Sequence, residues 1–307
     1  MKIYINSVRE DWIIDRIKRE WQNLNPRNKT LFAFKSDIIW LIAPWTWKKV
    51  SRNTLQNKKV ICSIYHIDED KFNEIQLKEF RDRDKVVDWY HTISNKSKLQ
   101  LKELTDKPIF VAPFWINQNL FFDIPEKEVV QEKLGINTSD FLIGSFQRDT
   151  EGSNMTSPKL SKGPDRFIEI VQHYQKIKPN IAVVLTGKRR NYVINQLEKK
   201  GIKFYYFEMA NFNTLNELYN CLDLYIVSSR YEGGPQAILE CAVTNTPIIS
   251  TDVGIAAEIL DDQSIFNMNN FQNAKPNIVE ASKNANKIIL PQGMDAYKNF
   301  FKEIYEN

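Results

Sequence analysis

The chain has 307 residues, of which 42% are hydrophobic and 26% charged, a balance that excludes a disordered or collagen-like chain and suits two cores of ordinary size. Residues 1–120 hold 22 Lys/Arg against 15 Asp/Glu (+7), and residues 121–307 hold 20 against 23 (−3), so the first half presents a basic surface to solvent or to something anionic. Three scattered cysteines, Cys62, Cys221 and Cys241, exclude a disulfide framework and a zinc site, and no apolar run approaches the roughly 20 residues of a membrane helix.

In chain order, short apolar runs alternate with helical patterns, the signature of parallel sheets flanked by helices. Strand patterns fall at 2–5, 30–34, 38–42, 60–65 and 108–112, with helical patterns at 12–24 and ending at 99–104. The start enters a strand directly and shows no signal-peptide core, so a cytoplasmic setting is expected. Residues 123–133 are polar and acidic and mark the domain boundary. Beyond it, strands are predicted at 141–146, 181–186, 204–207, 224–228 and 247–250. Helices are predicted at 166–175, 191–200, 215–221 and 236–243, with another starting at 256–260. Gly201 closes the second of these as a C-terminal cap. After residue 263 the pattern weakens until a last helix over 294–305. The expected domains are 1–122, joined by 293–307, and 123–292. Open parallel sheets bind ligands beyond the carboxyl ends of their strands.

The most informative run is Ser228-Ser229-Arg230-Tyr231-Glu232-Gly233-Gly234-Pro235-Gln236-Ala237-Ile238-Leu239-Glu240. A strand enters a loop with two glycines, which allow close backbone approach, and then a helix whose first N–H groups suit phosphate or sugar oxygens. The spacing allows Glu232 near a reacting sugar and Glu240 deeper, near a ribose. On spacing alone, the same residues also fit a tight turn with one surface Glu and one helix Glu. A second constellation is Gly144-Ser145-Phe146-Gln147-Arg148 after a strand, with Lys162-Gly163 before a helix. Each of these cations alone also fits a surface charge, while two cations and a helix start together suit an anion such as a diphosphate. The polar stretch 149–161 between them reads as a surface loop. Pro44-Trp45-Thr46-Trp47-Lys48-Lys49 reads as aromatics packed under a loop or as a membrane- or sugar-facing cluster.

Residues 232–258 resemble the donor-site signature of the retaining glycosyltransferase family 4 (glycosyl transferases group 1). Glu232, Glu240, the Pro247-led strand, Gly254 and Glu258 carry the resemblance, and Arg148 with Lys162-Gly163 resembles the family's diphosphate grip. Asn245 stands where the family usually has Gly, a mild departure because Asn tolerates a left-handed backbone. The likeness runs from about residue 60 to the end. Residues 6–10 lack the glycine-rich loop that often follows the family's first strand.

The resemblance implies an α/β fold of two Rossmann-like domains facing a cleft (GT-B), the last helix crossing back to the N-terminal domain. It implies a retaining transfer of sugar from a nucleotide-diphosphate sugar, of UDP or GDP type, to an acceptor hydroxyl. In it, Glu232 would contact the donor sugar, Glu240 the ribose, and Arg148 and Lys162 the diphosphate. The backbone around Gly233, Gly234, Pro235 and Gln236 would face the sugar. Gly187 would close a donor-domain strand, and the loop with Phe207 and Met209 would pack against the base. His66, after a strand, stands where some members place a His near donor sugar and acceptor, although a lone His there is more often structural. No Asp-x-Asp metal motif and no nucleic-acid motif appears, so neither an essential metal, a separate cofactor nor nucleic acid is expected. The basic first half allows peripheral membrane contact. Rival readings are an inactive sugar-nucleotide-binding protein, another GT-B enzyme such as a sugar-nucleotide epimerase or phosphorylase, and a membrane adaptor.

Overall fold

The computed structural model describes residues 1–6 and 13–306. Most of the loop at 6–10, and the Trp12 start of the first predicted helix, lie outside the described residues. The chain divides into two compact units, Met1–Trp115 with Leu290–Asn307, and Ile116–Ile289. The first division falls before the expected 122/123 because Phe121 is fully buried in the second unit's core and Phe122 N–H donates to Asn216 Oδ1 (3.0 Å).

In the first unit the described elements are β1 (Ile3–Ile5), α1 (Ile13–Leu24), β2 (Lys29–Thr30), β3 (Ile38–Leu41), α2 (Arg52–Gln56), β4 (Lys59–Ile64), α3 (Glu74–Asp84), β5 (Trp89–Thr92), α4 (Asn95–Lys102) and β6 (Ile109–Val111). The strands form one parallel sheet in the order β2-β1-β3-β4-β5-β6. β3 is buried along its whole length, as expected of a parallel strand covered on both faces. α1 buries Ile14, Ile17 and Trp21 at helical spacing. Trp21 meets Trp40 edge-on at 6.0 Å and Phe301 at 5.2 Å. Phe301 belongs to the last helix, Asp295–Glu306, which buries Tyr297, Phe301 and Ile304 in this unit's core, so the chain's end returns to the first unit.

The strand expected at 30–34 is cut to Lys29–Thr30. The next strand starts level with Lys2, whose carbonyl accepts from the Asp37 and Ile38 N–H groups. The chain must therefore run back within residues 31–36, and does so through a 3-10 turn at Ala33–Lys35. α3, weak in apolar periodicity, was not legible in advance; Asn73 and Gln76 fix its start with a capping box.

The second unit continues with α5 (Lys127–Lys133), β7 (Phe141–Ser145), β8 (Thr150–Glu151), β9 (Ser157–Pro158), α6 (Pro164–Ile177), β10 (Ile181–Thr186), α7 (Asn191–Lys199), β11 (Lys203–Phe207), α8 (Phe212–Cys221), β12 (Leu224–Val227), α9 (Gln236–Val243), β13 (Ile248–Thr251), α10 (Ala256–Ile259), β14 (Ile265–Phe266) and α11 (Ile278–Ala285). Its parallel sheet runs β11-β10-β7-β12-β13-β14. Counted from β7 as strand one, that is the dinucleotide-fold order 3-2-1-4-5-6, whose direction reverses between β7 and β12. Asn245 adopts φ 53° in the turn before β13, the left-handed conformation expected of it. The polar stretch 123–133 holds α5 rather than a bare linker. All three cysteines are buried and unbridged. No described helix is long and apolar enough to cross a membrane.

Candidate functional site

A doubly wound sheet opens its ligand crevice where strand order reverses, beyond the carboxyl ends of the two central strands. In the second unit those ends are Ser145 of β7 and Val227 of β12, and the loops that follow carry Arg148 and Glu232. α6 starts beside them. Gly163, its N-cap, has φ 62°, and a Cβ there would stand 1.9 Å from the Ser228 carbonyl oxygen. Only glycine allows this approach. Ser228 Oγ donates to Gly163 O at 2.8 Å, which fixes the helix start against the end of β12. A second crossing has the same cause: a Cβ on Gly254 (φ 54°) would lie 2.3 Å from Gly233 O.

These crossings bring together residues far apart in sequence. Lys162 Nζ donates to Glu232 Oε1, and both side chains are largely buried. Ser229 Oγ–H reaches Glu232 Oε1 at 3.3 Å and Gln147 Oε1 at 3.2 Å, while Gln147 Nε2 donates to Lys162 O at 2.8 Å. One polar cluster therefore joins the loop after β7, the start of α6 and the loop after β12. Arg230 grips Asp165 with both terminal nitrogens (2.8 and 2.6 Å). That grip, with backbone N–H groups of the first turn of α6, holds the Asp165 carboxyl below its ordinary range and suits the positive end of that helix.

Arg148 is exposed and donates from Nε to Thr150 O at 2.8 Å. Partial burial and neighbouring Arg189 lower its pKa, yet a guanidinium stays charged. Lys159 is lowered too, by burial first and then by Lys162 and Arg148. At least three cations thus share one field at the crevice, an arrangement that a polyanion relieves.

Glu240 lies deeper, 6% exposed, on α9. Tyr219 O–H donates to its Oε2 at 2.7 Å, and burial, with that carboxylate alongside, pushes the phenol well above 10. Pro235 stands at the N-cap of α9 and supplies no side-chain cap of its own. Gly187 (φ 86°) ends β10, and its carbonyl accepts from Tyr206 O–H at 2.9 Å. Phe207 packs against the core, whereas Met209 is 69% exposed. In the first unit, His66 is exposed and lines a cavity of about 580 Å³ with Pro44, Trp45, Tyr65 and Phe80. The Trp cluster divides: Trp47 is buried and donates to Glu79 Oε1 at 2.6 Å, while Trp45 stays half exposed beside Tyr65.

Sequence reasoning missed the support beneath this site. The stretch 149–161 is not a plain surface loop. Asp149 and Thr150 are buried, and β8 and β9 pair as an antiparallel ladder. Asp149 is ion-paired at 2.8 Å with fully buried Arg190, which also donates to Gln147 O. Arg190 and Asp149 stand 41 positions apart, and no local pattern links them. Tyr219, likewise, reads only as a core aromatic.

The fold and this crevice define a GT-B protein. Residues 156–302 match the family model described as Glycosyl transferases group 1. A curated relative, the lipopolysaccharide core biosynthesis mannosyltransferase LpsB of Rhizobium meliloti (strain 1021), is 22% identical over 162 residues, 50% of this chain and 44% of the relative. The match therefore spans less than half the relative's length. Anabaena Alr3699/HepE, solved with UDP and glucose, covers 100% of both chains at a TM-score of 0.73 and 12% identity. Sucrose-phosphate synthase from Thermosynechococcus elongatus has a TM-score of 0.69 at 11% identity, covering 98% of this chain and 81% of that one. At such identities these structures speak for the fold.

Proposed function

We propose that this protein is a retaining glycosyltransferase of family 4 that takes sugar from a nucleotide-diphosphate sugar of UDP or GDP type and passes it to an acceptor hydroxyl. The observation that carries the reading is the joining of Lys162 and Glu232 at the sheet's switch point, with Glu240 deeper on the adjoining helix. Arg148 and Lys162 hold the diphosphate and take up the charge that grows on it as the glycosidic C–O bond breaks. Glu232 orients the sugar, Glu240 holds the ribose hydroxyls, and the backbone from Gly233 to Gln236 faces the sugar. Gly187, Phe207 and Met209 border the base. The acceptor oxygen attacks from the side the diphosphate leaves, and a donor phosphate oxygen takes its proton. His66 serves the acceptor side. The reaction needs neither metal nor separate cofactor, and the setting is cytoplasmic.

The relatives support the donor class in their own names: HepE was solved with UDP-glucose, and LpsB is described as a mannosyltransferase. The test is thermal stabilisation by UDP-, GDP-, ADP- and CMP-sugars, because a ligand of the folded state raises the melting temperature. One nucleotide class should stabilise the protein, and Glu240→Ala should shrink that shift. No shift from any donor would overturn the reading. Activity lost in excess chelator and restored by manganese would overturn its metal-free part.

A further inference from the structure

We propose that residues 27–35 of the first unit form a docking patch for an anionic lipid bilayer. The patch follows β2, the edge strand of its sheet. Leu31, Phe32 and Phe34 are 67%, 54% and 63% exposed, three large apolar side chains within four residues. The two rings lie 5.6 Å apart, and Lys35 Nζ stands 5.3 and 5.8 Å from their centroids. Arg27 and Lys29 are exposed beside them, and residues 21–36 contain no Asp or Glu. The flanking carboxylate, Asp37, is engaged by the Lys2 N–H at 2.6 Å and lies 3.9 Å from the chain's amino group.

This is the composition a bilayer interface selects: apolar side chains enter the headgroup boundary while cations meet lipid phosphates. A second copy fits less well. A two-fold contact would set these cations against themselves, and β2, two residues long, offers little edge for sheet extension. In the Trp45–Lys49 stretch, by contrast, Trp47 is buried and both Trp47 and Lys48 bond Glu79, which leaves fewer side chains to meet a bilayer.

The test is co-sedimentation of the full chain, without nucleotide, with vesicles of phosphatidylcholine alone or mixed with phosphatidylglycerol. The expected result is binding to the mixed vesicles that high salt weakens, and little binding to phosphatidylcholine. The combined variant L31S/F32S/F34S should lose binding while keeping the wild-type melting temperature, because the side chains removed are exposed. Lys35→Gln should weaken binding roughly fivefold, the share of one charge near such a surface. Should the combined variant misfold, Phe34→Ser alone carries the same expectation in reduced degree. Three results overturn the proposal: no binding to mixed vesicles, undiminished binding by the variants, or a concentration-dependent dimer that the serine variant abolishes, which assigns the face to a second copy. None depends on whether the second unit binds a sugar nucleotide.

Discussion

Lys162 and Glu232 form an ion pair, but the proposed chemistry gives them different ligands, and that difference can be measured. Lys162→Met should weaken the favoured sugar nucleotide and its free nucleoside diphosphate alike, by tenfold or more, since a charge-assisted bond contributes about 1.5–3 kcal/mol. Glu232→Gln should weaken the sugar nucleotide and spare the free diphosphate, and should cost transfer about 10²-fold or more if its sugar contact tightens in the transition state. Calorimetric titration of both ligands into both variants separates the cases; equal losses for Glu232→Gln would remove its sugar role. Glu232 and Glu240 stood out in the sequence because glycines, a helix start and two glutamates lie within nine positions; Lys162 lies 70 positions from Glu232, and only the family resemblance linked the two. Tyr219, which fixes the Glu240 carboxylate, did not stand out, because its partner is 21 positions away and an isolated tyrosine in a helix reads as packing.

At the scale of elements, the site rests on close backbone crossings and one buried ion pair. Gly163→Ala places a Cβ 1.9 Å from Ser228 O at φ 62°, so it should destabilise the protein by more than the about 1 kcal/mol of left-handed strain alone and should weaken donor binding by shifting the start of α6. Chemical denaturation with donor titration checks both. The Arg190–Asp149 pair supports the loop after β7 from below. Arg190→Met leaves a buried carboxylate unpaired, for which about 3–5 kcal/mol is expected. The double variant R190M/D149L should recover much of that loss and still bind donor poorly, because the Gln147 carbonyl loses the guanidinium that holds it. Full recovery of binding would show the pair to be packing alone. Helices and strands with strong periodicity, such as α6, β10 and α9, could be read in advance. The insert at 149–161 could not: its polar residues suit a loop, and only partners 40 residues downstream fold its base inward. The strand expected at 30–34 failed for the complementary reason, since its apolar residues suit a sheet but the sheet's register pulls the chain away.

At the scale of the whole chain, the last helix returns to the first unit and meets a buried histidine that makes this unit sensitive to acid. His91, 1% exposed on β5, donates from Nε2 to Ala112 O at 2.9 Å and accepts at Nδ1 from Ser63 Oγ at 2.8 Å. Trp40 Nε1 donates to the same serine at 2.9 Å. Tyr297 of the last helix donates to Ala112 O at 3.0 Å and lies 3.0 Å from Nε2. This network suits the neutral ring and offers no counter-charge. Burial accordingly pushes the pKa down to about 4, with the Ala112 carbonyl pulling the other way. Below about 6.5 the unfolded chain takes up a proton that the folded chain refuses, so stability falls with pH across the window from 6.5 to 4, by about 3 kcal/mol at most. The carboxyl of Glu79, held low by Lys48 and Trp47, adds acid sensitivity only below its ordinary value of 4.5. Asp149, raised by burial, acts with the opposite sign. Between pH 6.5 and 5 the slope therefore belongs largely to His91. Denaturation midpoints of the wild type should fall across that interval, while His91→Gln, less stable at neutral pH, should show a much flatter profile; parallel slopes for the two proteins would exclude His91 as the source.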